Sequence, residues 1–127
     1  MKPGDTLPSR TRKVEAAAMA IMAEVLRDPN PIHLDPVAAA ASGLGDRVIN
    51  QGPANLGYVV DMLLAAFPGH RIARLDSRYL ANVRDGDLVT AGGHVSRVEA
   101  KSIDCDAWLK VEDGTIAVAV IASLIAR

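Results

Sequence analysis

Cysteine is almost absent from this sequence of 127 residues, and the single one, Cys105, cannot form an internal disulfide. Its neighbours Asp104 and Asp106 are acidic, and negative charge beside a thiol disfavours the reactive thiolate. Cys105 is therefore not expected to act as a nucleophile. A chain with so little cysteine fits a reduced, cytosolic setting.

Long apolar runs are also missing. Residues 1–13 contain no apolar run that could act as a signal segment. The longest apolar stretches, residues 62–67 and 116–122, are much shorter than the roughly 20 residues that span a bilayer.

The formal net charge is −1, with neither sign in a long run, so electrostatics give no reason to expect binding to nucleic acid or an anionic membrane. We expect a cytoplasmic protein that binds neither.

Aromatic residues are few, with one Trp, two Tyr and one Phe. Because half of all residues are nevertheless hydrophobic, the core must be built mainly from Ala, Val, Ile and Leu. A chain of this length can bury one hydrophobic core but not a second. Residues 1–127 are therefore predicted to form a single domain.

The order of predicted elements indicates an α+β fold. Apolar residues at helical spacing predict a helix over Glu15–Leu26, and the nearly all-apolar stretch Gly52–Phe67 predicts a long helix buried on almost every side. Gly92 and Gly93 are predicted to form a bulge, and the last strand is expected to be covered on both faces. Alternation predicts strands at 73–79 and 103–111, and the Ile-, Val- and Ala-rich residues 115–126 predict another. With a strand at 88–98 these form an antiparallel meander of four strands, preceded by a short edge strand at 11–14.

The stretch Asp28–Asp35, Asp-Pro-Asn-Pro-Ile-His-Leu-Asp, concentrates the residues that could carry chemistry. Two prolines restrict its backbone, and a carboxylate and an imidazole held by one rigid loop can contact a single water. Asp28 and His33 are the candidate pair, with Asn30 between them. Asp35 precedes a proline and is predicted to cap a short helix instead. The alternative is that these are ordinary turn residues and His33 is a hydrogen-bonded core histidine.

This stretch resembles the hydratase signature of the MaoC-like dehydratase family, Gly-Asp-x-Asn-Pro-Ile-His-x-Asp. The match runs from Asp28 to Asp35, and only the preceding glycine differs, because Arg27 stands in its place. The family includes the (R)-specific enoyl-CoA hydratases and related 3-hydroxyacyl-thioester dehydratases. The resemblance implies a single hot-dog fold, in which an antiparallel sheet wraps around a long buried helix. It also implies a hydratase that interconverts trans-2-enoyl and (3R)-hydroxyacyl thioesters.

The resemblance implies roles for individual residues. Asp28 and His33 would be the catalytic pair, Asn30 would bind substrate, and the Gly52 N–H would bind the thioester carbonyl at the positive end of its helix. Gly52 could otherwise simply permit a tight helix entry. Some relatives carry a Ser or Thr on this helix that contacts the catalytic acid, but this chain has none between residues 52 and 67. Asn55 is the expected replacement and is predicted to be a substrate-binding residue. No metal or redox cofactor is expected, and CoA or an acyl carrier protein would carry the substrate.

Two other functions stay open. A hot-dog thioesterase would hydrolyse the thioester with Asp61 of the long helix as its carboxylate. A non-catalytic hot-dog subunit would instead support an active partner. Asp61 is otherwise expected at an interface or in a solvated gap, because burying an unpaired carboxylate is costly. His70 and His94 have no second ligand at metal spacing and are expected to be surface residues.

We predict a homodimer, or a heterodimer with another hot-dog chain, because a long sheet edge and apolar final strands would otherwise face water. Sedimentation velocity at micromolar concentration measures the mass of the particle. A two-chain particle is the expected result, and a monomer at that concentration would contradict the prediction.

Overall fold

The computed structural model describes all 127 residues. Every predicted helix and strand is present, with bounds that differ from the prediction by no more than a few residues. The elements are β1 (Arg10–Lys13), α1 (Ala16–Leu26), a 3-10 helix (Pro31–His33), α2 (Pro36–Ala41), α3 (Gly52–Ala66), β2 (His70–Tyr79), β3 (Leu88–Val98), β4 (Ser102–Val111) and β5 (Ile116–Ala126). None of the helices is long and apolar enough to cross a membrane.

The five strands form one antiparallel sheet in the order β1-β3-β4-β5-β2. α3 packs against β2, β3, β4 and β5, and Val59, Met62 and Leu63 on its inner side are fully buried. Burying an apolar side chain of this size contributes roughly 1.5–3 kcal/mol. The expected α+β architecture, an antiparallel sheet packed around one long helix, is confirmed.

The predicted four-strand meander is wrong in one respect. β2 lies at a sheet edge beside β5, so β4 and β5 separate it from β3. Residues 80–87 must therefore cross three inter-strand spacings, roughly 14 Å, which a tight hairpin cannot do. Alternation of apolar residues predicts that a segment is a strand, but it does not indicate which strands are neighbours.

Two predictions of burial are also wrong for the single chain. On α3, Gly57, Asp61 and Leu64 are exposed, so the helix is not buried all round. On β5, Ile121 is 57% exposed, so that strand is covered on one face only. The reason is that the sheet covers just one side of the helix, and no second layer covers the outer face of the sheet.

Gly92 and Gly93 permit close packing rather than a bulge. They pair in register with Trp108 and Ala107, and the irregularity in β3 lies further along the strand. A Cβ atom on Gly93 would lie 2.9 Å from the Cα of Ala107, and one on Gly92 would lie 3.2 Å from Nε1 of Trp108. Glycine at these two positions lets β3 and β4 pair without displacing those neighbours.

Cys105 is fully buried in β4. Burial, together with the negative charges of Asp104 and Asp106, raises the pKa of its thiol to about 11. The thiol is therefore protonated at neutral pH, which confirms the prediction that this cysteine is not activated.

The end of α1 is a Schellman motif, and it fixes where Asp28 begins the loop. Arg27 is left-handed, with φ 51° and ψ 44°, and its N–H donates to the carbonyl of Glu24 at 3.2 Å. The N–H of Asp28 donates to the carbonyl of Ala23 at 2.9 Å, which completes the pair of bonds that defines the motif. Glycine is favoured at the left-handed position, which accounts for the glycine in the signature and means that Arg27 carries a backbone cost.

The helix after the loop begins as predicted. The Asp35 carboxylate accepts a hydrogen bond from the Val37 N–H at 2.9 Å, and Pro36 occupies the first helical position. Asp35 therefore caps α2.

We predict that Arg27→Gly is more stable than Arg27→Ala by about 0.5–1 kcal/mol, because relief of the left-handed backbone outweighs the extra entropy of an unfolded glycine. Urea denaturation at one fixed protein concentration measures the change. Arg27→Ala is the control, since alanine loses the charge but keeps the backbone cost. Equal stability of the glycine and alanine variants would contradict the account of this position.

Candidate active site

Two side-chain hydrogen bonds shape the loop between α1 and α2. The Asp28 Oδ1 accepts the N–H of Asn30 at 3.3 Å, and the Asn30 Oδ1 accepts the N–H of Ile32 at 3.3 Å. The second bond starts the 3-10 helix that ends at His33. Short acceptors that bond their own backbone two residues on are typical of Asp and Asn in turns. Asn30 thus has a role in shaping the loop, in addition to the substrate contact predicted for it.

His33 is buried and its ring is fixed by the main chain. Its Nδ1 lies 2.7 Å from the carbonyl oxygen of Ile49, and the N–H of Ile49 donates to the carbonyl of Ile32 at 3.0 Å. Because a carbonyl can only accept, the ring nitrogen beside it must carry the proton. In the neutral imidazole, Nε2 is then the free acceptor.

Asp28 and His33 are brought together as predicted. The distance from the Asp28 Oδ2 to the His33 Nε2 is 3.7 Å, which is too long for a direct hydrogen bond. Both atoms can instead contact one water placed between them. The Oδ1 atom of Asp28 is occupied by the loop backbone, so Oδ2 is the oxygen left for this contact.

The pair lies where two cavities adjoin. Asp28 lines a cleft of about 550 Å³, whose other walls include Ala20, Ala23 and Leu34. His33 lines a smaller cavity of about 150 Å³, which shares Ala20 and Leu34 with the cleft. The Asp28 side chain is 43% exposed and that of His33 is 10% exposed. One member of the pair therefore meets solvent in the open cleft, while the other is held in the protein.

Gly52 is the first residue of α3, as predicted, and its N–H has no hydrogen-bond partner within the chain. Such an N–H at the start of a helix is a ready donor at the positive end of the helix dipole. A Cβ atom here would lie 3.4 Å from the ring of Tyr79. Gly52 follows Ile49 by three residues, so the donor is within about 10 Å of the carbonyl that holds His33.

Gln51 is a residue whose role the sequence did not indicate. Its side chain is 1% exposed, and its Nε2 donates to the carbonyl of Met19 at 2.8 Å. The bond ties the start of α3 to α1, the helix that delivers Asp28. Its Oε1 is buried without a partner. The sequence does not show that Gln51 is buried, and no neighbouring residue indicates that the Met19 carbonyl is its partner.

Asn55 is buried, but its partner is not the catalytic acid. Its Oδ1 accepts a hydrogen bond from the Asn50 Nδ2 at 2.8 Å, and the Asn50 N–H donates to the carbonyl of Val83 at 2.7 Å. No hydrogen bond joins Asn55 to Asp28. Asn55 therefore stabilises the segment that leads into α3, and the expected replacement of a helix hydroxyl is not seen.

Asp61 lies apart from this site. It is nine residues beyond Gly52 on α3, roughly 13 Å along the helix axis, and its side chain is 55% exposed. Its carboxylate pairs with Arg10 at 3.1 Å and Arg12 at 3.8 Å, both on β1. The Asp61 carboxylate thus forms solvent-exposed ion pairs that join α3 to the edge strand β1.

Solved structures with the same fold include three that align over nearly the whole chain. An (R)-hydratase from A. caviae involved in PHA biosynthesis has a TM-score of 0.91 and 24% identity, with 100% of this chain and 98% of that chain covered. The ChsH1-ChsH2 complex from Mycobacterium tuberculosis has a TM-score of 0.88 and 21% identity, with 98% of this chain and 98% of that chain covered. The R-hydratase PhaJ1 from Pseudomonas aeruginosa has a TM-score of 0.85 and 21% identity, with 99% of this chain and 82% of that chain covered. At these identities the likeness shows the fold alone.

No curated protein has significant sequence similarity to this chain. The sequence profile of the MaoC like domain, however, matches residues 2–120, a range that includes both the Asp28–His33 loop and the start of α3. With the signature loop, the hot-dog sheet and nearly the full length all in agreement, the chain belongs to the MaoC-like dehydratase family.

Proposed function

We propose that the protein is a hydro-lyase that interconverts trans-2-enoyl thioesters and (3R)-hydroxyacyl thioesters. The observation that carries the proposal is the 3.7 Å separation of the Asp28 and His33 side chains, with the histidine fixed by the Ile49 carbonyl. A carboxylate and a neutral imidazole at that spacing can hold one water and transfer its protons. The thioester would be carried by CoA or an acyl carrier protein.

In the hydration direction, the water between Asp28 and His33 adds its oxygen to C3 of the enoyl group. The pair takes one proton from the water and supplies a proton to C2. Because both groups act on the same water, the two act as one unit rather than as a separable acid and base. Oxygen and hydrogen arrive from the same face of the double bond, so the addition is syn.

The addition places negative charge on the thioester oxygen before C2 is protonated. The Gly52 N–H is the donor for that oxygen, because it is unpaired and lies at the positive end of α3. Gln51 supports this geometry by binding the start of α3 to the main chain of α1. The site thus draws the proton-transferring pair from one helix-loop unit and the oxyanion donor from another.

The proposed oligomeric state is a homodimer or a heterodimer with another hot-dog chain. Two neighbouring structures are complexes of named chains, ChsH1-ChsH2 and a HadBC (3R)-hydroxyacyl-ACP dehydratase, both from Mycobacterium tuberculosis. The exposed faces of α3 and β5 supply apolar surface for such an association. We place the enzyme in the cytoplasm.

The reaction is tested with purified protein and crotonyl-CoA at neutral pH, followed by ultraviolet absorbance and by a thiol reagent in parallel. Loss of the enoyl absorbance without free thiol is the expected result. Release of free thiol would instead identify a thioesterase. Loss of neither, in a correctly folded sample, would contradict hydratase activity on this substrate and favour the non-catalytic subunit.

The catalytic pair is tested by substitution. Asp28→Asn keeps an oxygen for the Asn30 N–H but removes the proton acceptor, and His33→Ala removes the imidazole. Each change should lower kcat by roughly 10²- to 10⁴-fold, the usual loss when general acid-base catalysis is removed. The double variant should be little worse than the poorer single variant, because the two groups serve one water.

Asp61→Asn is the matched control for these variants. It removes a carboxylate from α3 that is exposed and paired with Arg10 and Arg12, so hydration should stay within a few-fold of wild type. Circular dichroism confirms that each variant is folded. Near-full activity of Asp28→Asn, or loss of activity in a folded Asp61→Asn, would show that the site is assigned to the wrong residues.

A further inference from the structure

Arg27 has an unusual backbone conformation for its residue type. It is the only residue other than glycine with a positive φ, and the left-handed conformation costs an L-residue roughly 1–2 kcal/mol. A cation is favoured near the end of a helix by about 0.3–1 kcal/mol, which offsets only part of that cost. Backbone strain of this kind concentrates at functional sites, so the side chain that replaces glycine here requires a reason.

The position of Arg27 supplies a reason. The residue is exposed and lines the cleft of about 550 Å³ beside Asp28, where it is the only cation among the lining residues. The rest of the wall is largely apolar, with Ala20, Ala23 and Leu34. Arg27 therefore lines the same cleft as Asp28, one of the two residues of the proposed catalytic pair.

The guanidinium of Arg27 has no partner within the chain. Two carboxylates, Glu24 and Asp28, line the same cleft, yet neither forms an ion pair with it, and no hydrogen bond to its side chain is present. Its five N–H donors are arranged to bind a carboxylate or a phosphate through two parallel hydrogen bonds. These donors are free to bind a group brought into the cleft.

We infer that Arg27 is a specificity-determining residue that binds an anionic group of the substrate. The inference rests on the proposed function for the position of the reacting atoms. The anion is either a carboxylate at the far end of the acyl chain or a phosphate of the carrier. Arg27 contacts neither C2 nor C3, so its removal should raise KM and affect kcat much less.

Arg27→Gln tests this inference, because glutamine removes the charge but keeps the left-handed backbone cost. Three substrates separate the sources of the anion: crotonyl-CoA, glutaconyl-CoA and the crotonyl thioester of N-acetylcysteamine, which lacks phosphate. A KM raised roughly 10-fold for glutaconyl-CoA alone identifies an acyl carboxylate. A similar rise for both CoA substrates, with none for the small thioester, identifies a carrier phosphate. Arg27→Lys should recover part of the loss.

Lys101→Gln is the charge control, because Lys101 is an exposed residue in the turn between β3 and β4, and it should leave all three KM values unchanged. Binding of butyryl-CoA and glutaryl-CoA, measured by calorimetry, tests Arg27 without turnover. Equal KM and Kd values for wild type and Arg27→Gln would overturn the inference. Weaker binding by Arg27→Gln, with no hydration by either protein, would reject the hydratase proposal and keep the anion site.

Discussion

The hydrogen bond between His33 and the carbonyl of Ile49, at 2.7 Å, is the interaction on which the candidate site depends. It joins the loop after α1 to the segment that enters α3, and so it links the two parts of the chain that carry the proposed catalytic groups. It also determines which ring nitrogen is protonated, which leaves Nε2 facing Asp28. Without this bond the imidazole could turn, and the 3.7 Å spacing to the carboxylate would not be defined.

Other contacts hold the two ends of that bond in place. The Schellman motif at Arg27 directs the chain into Asp28, and Asn30 turns it into the 3-10 helix that carries His33. On the other side, Gln51 binds the first turn of α3 to the main chain of α1. The reactive side chains are thus positioned chiefly by hydrogen bonds between side chains and main-chain groups. That arrangement suits a site that must keep a water between two groups.

The sequence predicted those features that depend on local pattern. Alternation and apolar composition indicated the strands, helical spacing indicated α1, and the long apolar stretch indicated α3. The prolines and spacing of the signature identified Asp28, His33 and the Asp35 cap. The partner of His33 could not be predicted, because a backbone carbonyl is present at every residue and carries no sequence signal. The bond from Gln51 to Met19 was missed for the same reason, and the placement of Asn55 against Asn50 rather than Asp28 depends on tertiary contact.

Errors at the level of the fold have a related cause. The position of β2 beside β5 depends on the path of residues 80–87 around the sheet, which no local pattern encodes. The apolar composition of α3 and β5 indicates burial, but a single chain covers only one face of each, and Leu64 and Ile121 remain exposed. Arg27 is a different case, since the departure from the signature was visible in the sequence. The left-handed backbone of Arg27 and its place in the cleft, on which its proposed role rests, depend on the three-dimensional structure.

The central claim is that Asp28 and His33 act together on one water, from one face of the double bond. Hydration of crotonyl-CoA in D₂O tests it most directly, with the relative configuration at C2 and C3 of the product read from proton NMR. The account predicts a single product in which deuterium at C2 and oxygen at C3 were added from the same face, with the R configuration at C3. Anti addition, or a mixture of the two configurations at C2, would contradict it.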